Sequence, residues 1–194
     1  MSIAIVFHDT DGHVRALAES IQAGVRNVGQ QAQLFDISQF QFDVNNNEND
    51  ALSRELRQHD AIVFGCPTLL SGPTAKFRQF MEFSMNQYHN QTLNNKMSAG
   101  FTAGTPLSGD RGQTLQALAS FAAQHSMLWV NQGHIAENEG AAEHGINHAG
   151  SHLGLAVETL PGEHEPHFDD LRTANLFGRR IANSTRQWVA GRNR

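Results

Sequence analysis

The sequence predicts one α/β domain in which helices cover both faces of a parallel β-sheet. Three observations indicate this fold. Five short apolar runs alternate with longer segments whose apolar residues recur at helical spacing. The apolar runs lack polar alternation, as expected for strands that are covered on both faces. The chain has 194 residues, and this length suits a single domain over residues 1–194.

The predicted elements follow one another in strict alternation. The first strand is expected at residues 3–7 (IAIVF), and the first helix at residues 13–28, where Val14, Leu17 and Ile21 share one face. The other strands are expected at residues 33–37, 61–64, 97–102 and 128–130. The other helices are expected at residues 51–58, 74–85, 113–124 and 169–189. Right-handed crossovers between parallel strands then give a three-layer sandwich.

One segment exceeds what this fold needs. Five strand–helix units of roughly 30 residues account for about 150 residues. The surplus lies at about residues 134–161, a Gly- and His-rich insert without a clear period, and loops of this length are usually functional or face a partner. Three histidines recur there every four residues, at positions 144, 148 and 152, but interspersed glycines disfavour the helix that would align them. No metal site is therefore predicted.

Composition excludes several classes of function. Lys and Arg total 14 against 19 Asp and Glu, so the net charge of -5 argues against nucleic acid and against an anionic membrane surface as partners. Cys66 is the only cysteine, which excludes an internal disulfide. The N-terminus lacks the basic residues of a signal peptide, and no run of 18 apolar residues occurs. We therefore expect a cytoplasmic protein.

The loops that follow the strands carry the functional information, because open α/β sheets bind ligands at the carboxyl ends of their strands. Residues 8–14 (HDTDGHV) lead into a helix N-terminus, which favours an anion such as phosphate. They contain neither the dinucleotide fingerprint GxGxxG nor a P-loop. Residues 66–73 and 102–112 offer glycines, hydroxyls and main-chain donors but no titratable catalytic cluster. This pattern is typical of loops that hold a flat polar ring.

Four segments in order give a more specific indication. They are IAIVFHDTDGHVRALAESIQAGV, DAIVFGCPTLLSGPTAKFRQFMEF, KMSAGFTAGTPLSGDRGQTLQAL and FAAQHSMLWV. The most telling pieces are FGxPT ahead of the third helix, the Gly- and Thr-rich loop that ends in GQT, and His125 before the fifth strand. Taken together, the chain resembles the flavodoxin-like quinone reductases of the WrbA type over nearly its whole length.

The resemblance implies a flavodoxin-like three-layer sandwich with a five-stranded parallel sheet in the order 2-1-3-4-5. It implies an enzyme, an FMN-dependent NAD(P)H:quinone oxidoreductase, that forms a homo-oligomer (tetramer or dimer). The first loop would hold the FMN phosphate, and the other loops and His125 would contact the isoalloxazine ring. Carried onto this sequence, the cofactor-binding residues are Asp9, Thr10, Asp11, Gly12, His13, Val14, Pro67, Thr68, Leu69, Leu70, Thr102, Ala103, Gly104, Thr105 and His125. The flavin would carry the chemistry, so no catalytic side chain is predicted.

The first loop departs from the family pattern. Asp9 replaces the serine or threonine that normally begins the phosphate loop, and Asp11 adds a second carboxylate. Negative charge beside a phosphate lowers FMN affinity, unless the carboxylates point away. Alternatively, Asp9 or Asp11 caps the first helix and itself occupies the anion site. Two further functions therefore stay open: a flavodoxin-type electron carrier, and a flavin-free binding module with the same fold.

Overall fold

A computed structural model of the chain describes residues 1–42, 51–105, 110–136, 140, 143–160, 162–163 and 165–192. The strands are β1 (Ser2–Phe7), β2 (Gln31–Asp36), β3 (Ala61–Leu69), β4 (Gly72–Pro73), β5 (Met97–Gly104), β6 (Leu128–Trp129) and β7 (Leu155–Glu158). The α-helices are α1 (His13–Asn27), α2 (Ala51–Gln58), α3 (Ala75–Phe83), α4 (Met85–His89), α5 (Arg111–Gln124) and α6 (Phe168–Arg192), and a 3-10 turn covers Ile37–Gln39. Among the described residues, no helix is long and apolar enough to cross a membrane.

The sheet is the parallel sheet that the sequence predicts, but the predicted count of five strands is wrong. Seven strands form in the described part of the chain, in the order β2-β1-β3-β5-β6, with β4 paired to β3 and β7 paired to β5. Strand β4 is an antiparallel extension made where β3 turns back on itself, with Thr68 opposite Pro73. A hairpin of only two residues on one side has no hydrophobic periodicity, so the sequence pattern did not reveal it.

The other additional strand arises because the edge strand is interrupted. Strand β6 pairs with the beginning of β5, Met97 lying opposite Leu128, and β7 pairs with its end, Phe101 lying opposite Leu155. Both pairings are parallel and lie on the same side of β5. The predicted insert at 134–161 therefore leaves the sheet after β6 and ends by contributing β7, which the absence of a clear period had concealed.

Two hydrophobic layers hold the helices to the sheet. Alternate residues of β1 face opposite layers: Ile3, Ile5 and Phe7 pack with α1 and α6, whereas Ala4 and Val6 pack with α2, α3 and α5. On the first face, α1 and α6 approach so closely that a β-carbon built on Gly178 would lie 2.1 Å from the carbonyl oxygen of Ile21. The second face is filled largely by phenylalanines of α3 and α5 and by Phe64 of β3.

Candidate functional site

The first loop folds around the carboxylate of Asp9. Its Oδ2 accepts a hydrogen bond from the main-chain N–H of Gly12 (2.9 Å), and its Oδ1 accepts from Val14 (3.0 Å) and Arg15 (3.2 Å). These donors belong to the start of α1, where N–H groups have no partner within the helix. The loop is therefore a built anion cradle, and the anion that occupies it is the chain's own Asp9.

The neighbours of Asp9 are committed to contacts within the protein. Gly12 adopts a φ of 98°, which a side chain would strain, and the loop needs this conformation to aim its N–H groups. The exposed Asp11 lies 3.1 Å from Nδ1 of the buried His13, whose Nε2 has no hydrogen-bond partner among the described residues. Arg15 pairs with Asp36 and covers the ring of Phe7. The only Lys or Arg side chain within residues 8–15 is thus already engaged.

The second loop is a tight hairpin with an apolar tip. Leu70 and Ser71 connect β3 to β4 with φ values of 48° and 63°, the combination found in two-residue hairpin turns. Leu70 is 99% exposed and Leu69 is 56% exposed. A leucine in the left-handed region costs about 1 kcal/mol or more, so this exposed and strained tip is the feature of the loop that packing does not explain.

Three buried hydroxyls join the second loop to the third. Oγ1 of Thr68 lies 2.8 Å from Oγ1 of Thr102 and 2.8 Å from Oγ1 of Thr114, and the Thr102 hydroxyl donates to the carbonyl oxygen of Cys66 (2.7 Å). Thr68 and Thr102 are predicted flavin-binding residues. Their side chains are buried within this cluster, which we call the hydroxyl triad (Thr68, Thr102 and Thr114), so only their main chain remains to face a ligand. Their role in the structure is to fix the two loops relative to each other.

The third loop begins at Gly104. Its carbonyl oxygen accepts hydrogen bonds from Nη1 of Arg111 (2.9 Å) and from the N–H of Thr159 (3.1 Å). Arg111 also lies 3.6 Å from Glu158 at the end of β7. Ala103 and Gly104 are buried and Thr105 is exposed, while residues 106–109, within the predicted loop 102–112, lie outside the described residues.

The three loops meet at the carboxyl edge of the sheet. The N–H of His8 donates to the carbonyl oxygen of Gly65, and Nδ1 of His8 lies 2.8 Å from the hydroxyl of Thr74, which caps α3. Ser71 hydrogen-bonds to Asp110 at the start of α5. Of the 15 predicted site residues, 12 thus lie in loops or strand ends at one edge, His13 and Val14 begin α1 at the same edge, and His125 is the exception. No sequence pattern predicted the contacts of Thr74, Arg111, Thr114 and Glu158.

His125 lies at the opposite edge of the sheet, which corrects its predicted place beside the loops. It ends α5, and Ser126 next to it accepts a hydrogen bond from the N–H of Asn95, just before β5 begins. Strand β5 has eight residues. At about 3.3 Å a residue, roughly 25 Å separates the two edges. Helix α5 starts at the carboxyl edge and ends at the opposite edge. His125 therefore lies far from the loops although it belongs to the same set of sequence motifs.

His125 is instead a buried part of the core. Its Nε2 lies 2.9 Å from the hydroxyl of Ser84, its ring packs edge-on against Phe121, and Nδ1 has no hydrogen-bond partner among the described residues. Burial lowers the pKa of His125 to about 4.

The buried His125 should make the protein less stable in acid. Between pH 6.5 and pH 4 the unfolded state binds a proton that the folded state excludes, so stability is complete above pH 6.5 and falls below it. The unfolding free energy of the wild type should fall between pH 7.5 and pH 5, and in His125→Phe this fall should be smaller by about 2 kcal/mol. Urea denaturation at both pH values measures this, with the exposed His89→Gln as the control. An unchanged pH dependence in His125→Phe would contradict it.

Two other predicted features supply neither a reactive thiolate nor a metal site among the described residues. Cys66 is fully buried, and burial raises the pKa of its thiol to about 12, so it is not a reactive thiolate. The insert contributes His144 and His148 to a cavity of about 360 Å³ beside the end of β7, where burial raises the pKa of Asp170 to about 6. No group of three or more His, Cys, Asp or Glu side chains suited to one metal ion occurs in the described ranges.

Sequence comparison then decides the family. The profile of the NADPH-dependent FMN reductases matches residues 6–142, which include all three loops. The chain belongs to this family. Among its curated relatives, the flavodoxin FldP of Pseudomonas aeruginosa is 27% identical over 92% of this chain and 93% of its own length. The NAD(P)H dehydrogenase (quinone) of Archaeoglobus fulgidus is 26% identical over 93% of this chain and 95% of its own.

Solved structures agree with this membership in the FMN reductase family. A flavodoxin, WrbA-like protein from Agrobacterium tumefaciens superposes with a TM-score of 0.69, at 26% identity, and covers 96% of this chain and 98% of its own. A flavodoxin from the domain Archaea superposes with a TM-score of 0.65 at 17% identity, which supports the fold alone. The flavodoxin-like fold inferred from the four sequence segments is confirmed.

In this FMN reductase family member, the main-chain groups of the site are suited to bind a flavin. The N–H groups of Gly12, Val14 and Arg15 converge on one anion, with Asp9 as the stand-in. The hairpin tip at Leu69 and Leu70 offers an apolar surface at the same edge. A phosphate can use the same N–H groups only when the Asp9 side chain has turned away from them.

Proposed function

We propose that the chain is an FMN-dependent NAD(P)H:quinone oxidoreductase. The observation that carries this proposal is that three loops suited to ligand binding meet at the carboxyl edge of the sheet. The chain that contains them matches the FMN reductase family over residues 6–142. The relative from Archaeoglobus fulgidus is named a quinone-dependent NAD(P)H dehydrogenase, and that name supports the same activity here. When bound, FMN supplies the chemistry, a two-electron transfer from NAD(P)H to the quinone.

The residues of this chain would bind and orient the flavin rather than react. Residues 9–14 would lie at its phosphate end, where the carboxylate of Asp9 holds the N–H groups of the helix start. Residues 67–70 and 102–105 would border the ring, with Leu69 and Leu70 as an apolar wall and Gly104 and Thr105 as main-chain partners. The hydroxyl triad holds residues 67–70 and 102–105 in a fixed position relative to each other. His125 is left out of this assignment because it lies at the far edge.

The proposed activity has a kinetic signature. No separate dinucleotide fingerprint exists, so NAD(P)H and the quinone would occupy the same face of the flavin in turn. We expect NADPH consumption with benzoquinone when the protein is supplied with FMN, and parallel lines in double-reciprocal plots, as in ping-pong kinetics. Intersecting lines would contradict the shared face, and no consumption with either NADH or NADPH would contradict the activity.

A flavodoxin-type electron carrier is the second candidate. The name of the relative FldP favours it, since that protein is called a flavodoxin. A net charge of -5 over 194 residues is modest for a carrier that docks through acidic patches, and the insert adds structure that a carrier does not need. A carrier would bind flavin yet fail to oxidise NAD(P)H at a useful rate. A flavin-free binding module, favoured by the seating of Asp9, would show no saturable flavin binding at all.

The remaining features of the proposal concern the protein's setting. We propose a single domain over residues 1–194, assembled as a homo-oligomer (tetramer or dimer) in the cytoplasm, with a quinone as substrate and no nucleic-acid or membrane partner. The net negative charge supports the last point. Light scattering coupled to size-exclusion chromatography measures the assembly directly.

A further inference from the structure

We infer that Asp9 is an intramolecular substitute for the terminal phosphate of the flavin, so that this chain binds flavin by its ring and does not read the phosphate. Riboflavin, which lacks the phosphate, should therefore bind about as well as FMN. The inference rests on the proposed function, because it concerns how the same site takes its cofactor.

The first reason is that the carboxylate satisfies the whole cradle. Both oxygens of Asp9 are used, and the three main-chain donors of Gly12, Val14 and Arg15 lie 2.9 to 3.2 Å away. These distances lie within the ordinary range for N–H···O hydrogen bonds, and the charge of the carboxylate strengthens such bonds. An incoming phosphate would have to break all three bonds before it could use these donors.

The second reason is charge. The exposed Asp11 lies two residues from Asp9, so a phosphate carrying nearly two negative charges would approach two carboxylates. Arg15 is the only Lys or Arg between residues 8 and 15, and its guanidinium is held by Asp36 and by the face of Phe7. The loop therefore offers the phosphate no free guanidinium or ammonium group to offset the repulsion.

The ring-binding side does not share this conflict. The hairpin tip is apolar and exposed at Leu69 and Leu70, and the pairing of β3 with β4 and the hydroxyl triad hold it in position. Stacking against an apolar wall is indifferent to the phosphate. One site can therefore bind the flavin ring and still show no preference for flavins that carry a phosphate.

The test compares two flavins on three proteins. Quenching of flavin fluorescence gives the Kd of FMN and of riboflavin for the wild type, Asp9→Ser and Asp11→Ser. For the wild type we expect the two Kd values to agree within about threefold. Asp9→Ser should tighten FMN by about tenfold or more and leave riboflavin within about threefold, because it frees the N–H groups and removes the adjacent charge. Asp11→Ser, the matched control, removes the same charge without freeing the cradle and should tighten FMN by no more than about threefold.

A second measurement does not use flavin. Inorganic phosphate should raise the Tm of Asp9→Ser more than that of the wild type, because only the variant has an open cradle. If Asp9→Ser does not fold, Asp9→Asn keeps one acceptor oxygen for the cradle without the charge, and it should still favour FMN over riboflavin.

Several outcomes would overturn the inference. They are a wild type that binds FMN at least about tenfold more tightly than riboflavin, a loss of FMN affinity in both Asp9 variants, and a wild type that binds neither flavin. The last also removes the proposed function. By contrast, flavin binding of the expected pattern without quinone reduction would remove the proposed function alone and leave the inference standing.

Discussion

Replacement of Gly178 by alanine is expected to lower the free energy of unfolding by about 3 kcal/mol. The added β-carbon would lie 2.1 Å from the carbonyl oxygen of Ile21, and this atom belongs to the backbone of α1, which cannot rotate away. Helices α1 and α6 would have to separate along the face that covers Ile3, Ile5 and Phe7. Forced overpacking of this kind costs about 1–3 kcal/mol and at times more. Denaturation in urea, followed by circular dichroism, measures the loss.

The same helix provides a matched control. Gly191 of α6 has no atom within 4 Å of the position where its β-carbon would be. Gly191→Ala should therefore leave the stability unchanged or raise it by up to about 1 kcal/mol, because alanine favours the helix more than glycine does. If both variants behaved alike, the close approach of α1 and α6 would be refuted.

Removal of the Thr102 hydroxyl is expected to cost about 2 kcal/mol of stability. Thr102→Val keeps the shape of the side chain but deletes the donor to the carbonyl oxygen of Cys66 and one of the two partners of the Thr68 hydroxyl. Unsatisfied buried polar groups cost about 1–3 kcal/mol, and water cannot replace the lost partner where Thr102 is fully buried. The midpoint of urea denaturation reports the change.

Thr185→Val separates the triad from the general effect of such a substitution. Thr185 is equally buried, but its hydroxyl donates only to the carbonyl oxygen of Ile181 within its own helix. We expect a cost below about 1 kcal/mol for this variant. Equal losses in Thr102→Val and Thr185→Val would show that the triad gives no special stability to the loops.

The sequence predicted the framework of the fold because burial on both faces leaves a strong pattern. Helix α2 was expected at residues 51–58 and is found at Ala51–Gln58, and each of the five apolar runs contains or overlaps a strand. Two strands were missed. β4 has two residues, and β7 lies in a segment whose glycines and histidines conceal any period.

The site was predictable as a set of loops but not as a set of contacts. Chain order and strand direction bring residues 9–14, 67–70 and 102–105 to one edge, and this needs no knowledge of side chains. Whether the Asp9 side chain points at the start of α1 depends on the φ of Gly12 and on where the N–H groups of Gly12, Val14 and Arg15 lie. Hydrophobic periodicity carries no information about either. The prediction that His125 lies beside the loops was wrong for a different reason. The motif match identified His125 as the residue that ends α5, but the length of α5 decides at which edge of the sheet that end lies.

The interrupted strand beside β5 also affects how copies of this chain can associate. An unbroken edge strand offers a row of unpaired N–H and C=O groups on which another molecule can add a strand. Here the row is divided into two residues of β6 and four of β7. A neighbouring copy could form only a few main-chain hydrogen bonds before the register is interrupted. This edge is thus a poor template for sheet extension or aggregation, whereas β2 at the opposite edge is an unbroken strand of six residues.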